Sequence, residues 1–224
     1  MLCLAAACSS SQGLRVESLN EMLDQEAARF REEPPAKMDQ PSARKQDPPV
    51  LGLFVKPTGF LQREFEWTDQ DRDQVLTWAK QLAARGLFTG AMFVPQSSLK
   101  GGNAVELRAT AARYGAGLLL ILDGTAVVDR YNNYKAPLLY WTILGAYLVD
   151  GTHSDALCLV KASLLDVKTG AVLFEEKAEG LTRKVGPAAF VDDREEVKRA
   201  RQLALGKLLR QVTERLEPAA GVGR

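Results

Sequence analysis

A chain of 224 residues, 46% of them hydrophobic, can bury one sizeable core, and ordinary domain sizes favour a single domain with tails over two domains. Lys and Arg number 29 against 28 Asp and Glu, so the net charge of +1 supplies no long-range field to gather nucleic acid or anionic lipid, and nucleic-acid binding is disfavoured. Cys3, Cys8 and Cys158 are too few for a disulfide framework, and the longest apolar run, Ala136 to Val149, falls short of the roughly 20 residues a membrane-crossing helix needs.

The chain opens with small apolar residues that end at Cys8 and give way at once to Ser9-Ser-Ser-Gln12. This resembles the end of a bacterial lipoprotein signal peptide, in which Ala5, Ala6 and Ala7 would lie extended in the signal peptidase and the Cys8 thiol would take the diacylglycerol. Residues 1–8 are then a truncated signal. It has no basic segment, and its apolar stretch is shorter than the usual roughly 7–15 residues, which places the expected start codon upstream. Ser9, in place of Asp, would direct such a lipoprotein to the outer membrane of a diderm cell. The alternative is an ordinary apolar terminus tucked into the core; the long polar segment that follows favours the lipid anchor.

Residues 9–49 are polar and contain Glu32-Glu-Pro-Pro35, Pro41 and Asp47-Pro-Pro49, a composition that buries too little apolar surface to offset its ordering entropy. A flexible tether is expected. Within it Leu14, Leu19, Met22, Leu23, Ala27 and Phe30 recur at helical spacing, which predicts a short amphipathic helix lying loosely on the domain or on a membrane surface.

The domain is expected over 50–217. Val50 to Val55, a short apolar run between prolines, reads as a buried first strand. Thr68 with Asp69, Asp71 and Asp73 makes a capped helix start, and Val75, Trp78, Ala79, Leu82 and Ala83 form its apolar face up to Gly86. Met92 to Val94 is a second strand. The loop Gln96 to Gly102 follows; its Gly101-Gly102 pair lacks the Lys-Ser/Thr of a phosphate-binding loop. Asn103 then caps a helix that Gly115 closes, and Gly117 to Leu122 reads as a central strand, apolar on both faces. This β-α-β-α-β order predicts a layered α/β sheet.

Consecutive strands come next, Asp155 to Val167 and Ala171 to Ala178, with Gly170 supplying the positive φ of a hairpin turn. A last helix over Asp192 to Leu216 carries the stripe Val197, Ala200, Leu203, Ala204, Leu208, Val212 and Leu216; Glu217-Pro218 should end it, leaving 218–224 as a tail. The fold class is α/β, becoming α+β in its second half, with two or three layers around a mixed sheet.

The segment Leu138-Leu-Tyr-Trp-Thr-Ile-Leu-Gly-Ala-Tyr-Leu-Val-Asp-Gly151, followed by Leu164-Leu-Asp-Val-Lys-Thr-Gly-Ala-Val-Leu-Phe174, resembles the core of the rhombotarget lipoprotein family over about Val50 to Leu216. The strand-turn-strand Leu165 to Leu173 also looks like the hairpin of curli-secretion lipoproteins, of penicillin-binding-protein activator lipoproteins and of the amino-terminal domain of the Tol propeller protein. Domains of that kind bind or assemble, so the resemblance implies a non-enzymatic envelope module. Leu138 to Val149 itself is a core element, a partner-binding element or a membrane-dipping element. Tyr131, Tyr134, Tyr140, Trp141 and Tyr147 concentrate aromatics with polar tips and are the candidate interface residues.

His153 is the single histidine, so a zinc site with several His ligands cannot be built in one chain, and neither a metal nor another cofactor is expected. Cys158 lies in an apolar run and reads as an inert buried thiol more readily than as a nucleophile paired with His153. Asp123, Asp129, Asp150, Asp155 and Asp166 fall at expected strand ends, where solvated turn carboxylates are the ordinary explanation; acid-base work would need two facing each other across a groove. The leading expectation is a non-enzymatic outer-membrane lipoprotein, anchored through Cys8, that binds an envelope protein or assembles with itself. A hydrolase of envelope polymers and a membrane-surface lipid-binding module are the alternatives.

Overall fold

The computed structural model describes residues 13–31, 48–57, 65–96, 103–132, 152–186 and 192–221. In chain order these form α1 (Val16–Arg31), β1 (Val50–Val55), α2 (Asp69–Ala84), β2 (Gly90–Phe93), α3 (Ala104–Arg113), β3 (Leu118–Asn132), β4 (Thr152–Asp166), β5 (Val172–Gly186) and α4 (Asp193–Gly221). The strands make one five-stranded mixed sheet in the order β2-β1-β3-β4-β5. β1 runs parallel to β2 and β3, while β3, β4 and β5 are antiparallel neighbours.

The β-α-β-α-β start explains the layering. β1 to β2 steps one way across the sheet and β2 to β3 steps back over β1, so crossovers of one hand put α2 and α3 on opposite faces. On one face, alternate residues Leu51, Leu53, Val55, Leu120 and Leu122, joined by Cys158 and Val160 of β4, pack against α2 and α4. On the other, Phe54 and Leu119 meet Leu107 and Ala111 of α3, and Leu157 and Leu159 meet Leu19 and Leu23 of α1. The sheet is covered on both sides, which makes three layers.

The expected caps form. The Thr68 hydroxyl accepts from the Asp71 amide at 3.3 Å while the Asp71 carboxylate accepts from the Thr68 amide at 2.8 Å, a complete capping box. The Asn103 side chain accepts from the Glu106 amide at 2.8 Å. At the hairpin turn Gly170 has φ +75°, and the Asp166 carboxylate accepts from the Thr169 amide at 2.6 Å.

Four boundaries differ from expectation. β3 continues ten residues past Leu122, through polar positions that look like a strand end: Asp123 is held by Lys56 at 2.9 Å, and Gly124 leaves the space that the Phe65 ring fills. β4 begins at Thr152, and β5 runs on to Gly186, because both pair with the extended β3 in one continuous antiparallel ladder. α4 runs through Pro218 to Gly221; in the last turn a proline removes one backbone donor with little helix left to lose. Leu203 is not a core residue of α4: it is half exposed, and Leu205 and Leu209 are buried in the core instead. The stripe turns away from Leu203 because β5 is the last strand, so that flank of the helix overhangs the sheet.

α1 lies within the stretch expected to be a tether, and its Leu19 and Leu23 are buried against the sheet. The packed residues therefore extend upstream of Val50.

Candidate functional site

The most exposed apolar residues of the sheet lie on β5. Among the described residues this strand pairs with β4 on one side and ends the sheet on the other, so alternate residues turn their N–H and C=O groups outward. Leu173 is 52% exposed, Leu181 56% and Val185 46%. Leu181 and Val185 occupy odd-numbered positions and so share the face that carries α1 and α3, beyond the area those helices cover, while Leu173 sits at the register shift opposite Leu164 and Leu165.

Cross-strand register builds the surface behind this edge in rows. Val127, Leu157 and Leu181 lie side by side, then Asp129, Asp155 and Arg183, then Tyr131, His153 and Val185. Asp155 accepts from Arg183 Nε at 2.9 and 3.0 Å and from a terminal guanidinium nitrogen at 2.8 Å, a bidentate pair. The hydrogen bonds to Asp155 hold the Arg183 guanidinium above its already high ordinary pKa. Asp129, next to Asp155, accepts from the Gly13 amide at 3.1 Å. Tyr131 stacks on His153 with ring centroids 4.8 Å apart and planes 6° from parallel. Of the candidate interface aromatics Tyr131 thus stands in this patch; Tyr134, Tyr140, Trp141 and Tyr147, with the whole Leu138 to Val149 segment, lie outside the described residues, as do Cys8 and Asp150.

α1 is latched beside this surface by charge as well as by packing. Lys177 donates to Asp24 at 2.8 and 3.0 Å and to Asn20 at 3.3 Å, and the buried Lys161 lies 3.6 Å from Asp24 and 3.3 Å from Glu175. The Lys177 hydrogen bonds keep the Asp24 carboxyl below its ordinary pKa of 3.8.

The chemistry weighed from sequence does not assemble here. Cys158 and His153 are five residues apart on β4, an odd offset that sends them to opposite faces. Burial, the dominant cause, pushes the Cys158 pKa from 9.0 up to about 12, leaving a thiol at neutral pH. His153 Nδ1 is buried with no hydrogen-bond partner among the described residues, so no carboxylate among them orients the ring through that nitrogen. Asp129 and Asp155 are neighbours on adjacent strands, not opposed across a groove, and both are engaged; Asp123 is paired with Lys56, and Asp166 organises the hairpin turn. A cavity of about 470 Å³ beside β5 is lined by Val16, Asn20, Lys177, Glu179, Lys207 and Gln211, with one carboxylate among them. No group of three or more metal-ligating side chains occurs among the described residues, and none of their helices is long and apolar enough to cross a membrane.

Sequence reasoning missed Leu181, Val185 and the exposed flank of α4. The signal was available in the charged residues Glu175, Lys177, Glu179 and Arg183 recurring at odd positions, which mark a strand with one face left in solvent.

No protein-family model matches this chain, and no curated protein matches it. Among solved structures it is similar to a hemagglutinin homolog from Helicobacter pylori, at 12% identity over 78% of this chain and 90% of that one, with a TM-score of 0.41. It is also similar to a minor lipoprotein from Acinetobacter baumannii, at 12% identity over 77% and 93% of the two chains, TM-score 0.40. The PelC dodecamer from Paraburkholderia phytofirmans aligns at 16% identity over 80% and 93%, TM-score 0.33.

Proposed function

We propose that this chain is an envelope lipoprotein, held to the outer membrane by acyl chains on Cys8, whose α/β domain is a non-enzymatic module for binding another envelope protein or for assembling with itself. The observation that carries the module reading is the exposed edge strand β5, with Leu181 and Val185 in solvent on the face that carries the stacked Tyr131 and His153, and Leu173 in solvent at its far end. A long sheet edge bearing exposed leucine and valine is a template for another chain, and a protein that keeps it uncovered has a use for it or a liability. The interspersed Glu175, Lys177, Glu179 and Arg183 keep the edge soluble and make it selective by charge.

Two measurements test the two halves of the reading. Radiolabelled palmitate, with expression from an extended upstream start, should label the wild type and leave Cys8→Ala unlabelled; equal labelling of both removes the anchor. Photocrosslinking from position 181 in cells should capture a protein, either another copy or an envelope partner, while capture of nothing removes the module reading.

A further inference from the structure

Residues on both faces of the β5 edge match a second copy of the same edge. On the α1 face the most exposed apolar side chain is Leu181, with Glu179 on one side of it and the 64% exposed Arg183 on the other. On the opposite face α4 crosses β5 at Gly180, where an added Cβ would come within 2.0 Å of the Ala200 carbonyl oxygen. Lys207 of α4 reaches the edge and donates to the Glu179 backbone carbonyl at 2.9 Å. Leu203, one turn before Lys207 and so on the same side of the helix, is 50% exposed. Two exposed leucines therefore flank the edge at one level along the strand, one on each face.

The Lys207 contact also fixes the polarity of the edge. The Glu179 carbonyl points away from β4, so the odd-numbered residues from Glu175 to Val185 present both backbone groups outward. A two-fold axis through an outward residue pairs it with its own copy by two backbone hydrogen bonds. Passing the axis through Leu181 sets Leu181 against Leu181, and Glu179 of each copy against Arg183 of the other. Axes through Lys177, Glu179 or Arg183 put a charge against itself. An axis at Gly180 sets Lys177 against Arg183, and axes at Ala178 or Thr182 put Leu181 against a charge.

We propose that this chain forms a symmetric dimer by antiparallel pairing of two β5 edges about Leu181, with two Glu179–Arg183 contacts on one face and the two Leu203 side chains meeting on the other. The proposal deepens the assembly branch of the function above and commits it to a second copy. Arg183 keeps its bidentate pair with Asp155 through Nε and one terminal nitrogen, leaving further guanidinium N–H donors for Glu179 of the second copy, and the Glu179 carbonyl has a second lone pair, so neither existing contact needs to break.

The test uses the full chain with Cys3 and Cys8 changed to serine. Sedimentation velocity should show a monomer–dimer equilibrium, and Glu179→Arg, which turns both cross-edge contacts repulsive, should weaken it on the order of tenfold or more because the contact occurs twice. Leu181→Cys, at an exposed position that folding does not depend on, should oxidise to a linked dimer while Leu173→Cys and Val185→Cys stay reduced, since only residue 181 meets itself. A chain that sediments as a monomer at every concentration, or one that links equally from 173 or 185, overturns the proposal. A monomeric purified chain whose position 181 crosslinks to a different protein in cells also overturns it, yet leaves the broader module reading standing.

Discussion

Arg201 and Asp71 join α4 to the start of α2 with 2.8 Å between Nε and a carboxylate oxygen, and both side chains are buried. Arg201 also donates to the Glu66 carbonyl at 2.8 Å, and Asp71 closes the capping box. Removing one member of such a pair strands a charge in the interior, so Arg201→Met should lower the unfolding free energy by about 3–5 kcal/mol, measured by urea denaturation. Adding Asp71→Asn should return part of that loss, because the carboxylate is then no longer charged. Cys158 makes the opposite demonstration: burial favours its neutral form, so the folded protein should leave it unalkylated by iodoacetamide at mildly alkaline pH, and denaturation should expose it; peptide mapping reads both states. At this scale much was legible. The apolar run Ala156 to Val160 announced an inert thiol, and the period of two in a strand separates residues 153 and 158 once the strand is recognised. The Arg201 to Asp71 pair was not legible, because the partners lie far apart in sequence and meet only when α2 and α4 share a sheet face.

Among the elements, α1 is the one whose attachment depends most on charge. Its apolar contact with Leu157 and Leu159 is small, and Asp24 adds the pairs with Lys177 and Lys161. Asp24 is held below its ordinary pKa in the docked state, so its contribution is fully present above pH 3.8 and is lost as the pH falls through the lower, docked-state value. Hydrogen-exchange protection of the α1 amides, corrected for intrinsic rates, should drop over that acidic window in the wild type. In Asp24→Asn it should be reduced already at neutral pH and show no such acid step. The helix itself was readable from the spacing of Leu19, Met22 and Leu23; its place on the sheet was not, since periodicity identifies an apolar stripe and says nothing of what the stripe covers. The same limit explains Leu203, counted in the α4 stripe by spacing but left in solvent because the sheet ends at β5.

For the whole molecule, local chemistry alone was enough to determine the β-α-β-α-β order, the Thr68 and Asn103 caps, the hairpin at Gly170 and the α/β class. Each depends on residues within a few positions of one another, where hydrogen-bond geometry, φ and side-chain period act directly. Tertiary structure alone decided that three layers form, that β3, β4 and β5 extend into one long antiparallel ladder, that α1 belongs to the packed body, and that β5 is an edge with Leu181 in solvent. Those facts follow from strand order, and strand order is set by which distant surfaces bury each other, a free energy that no short window of sequence contains.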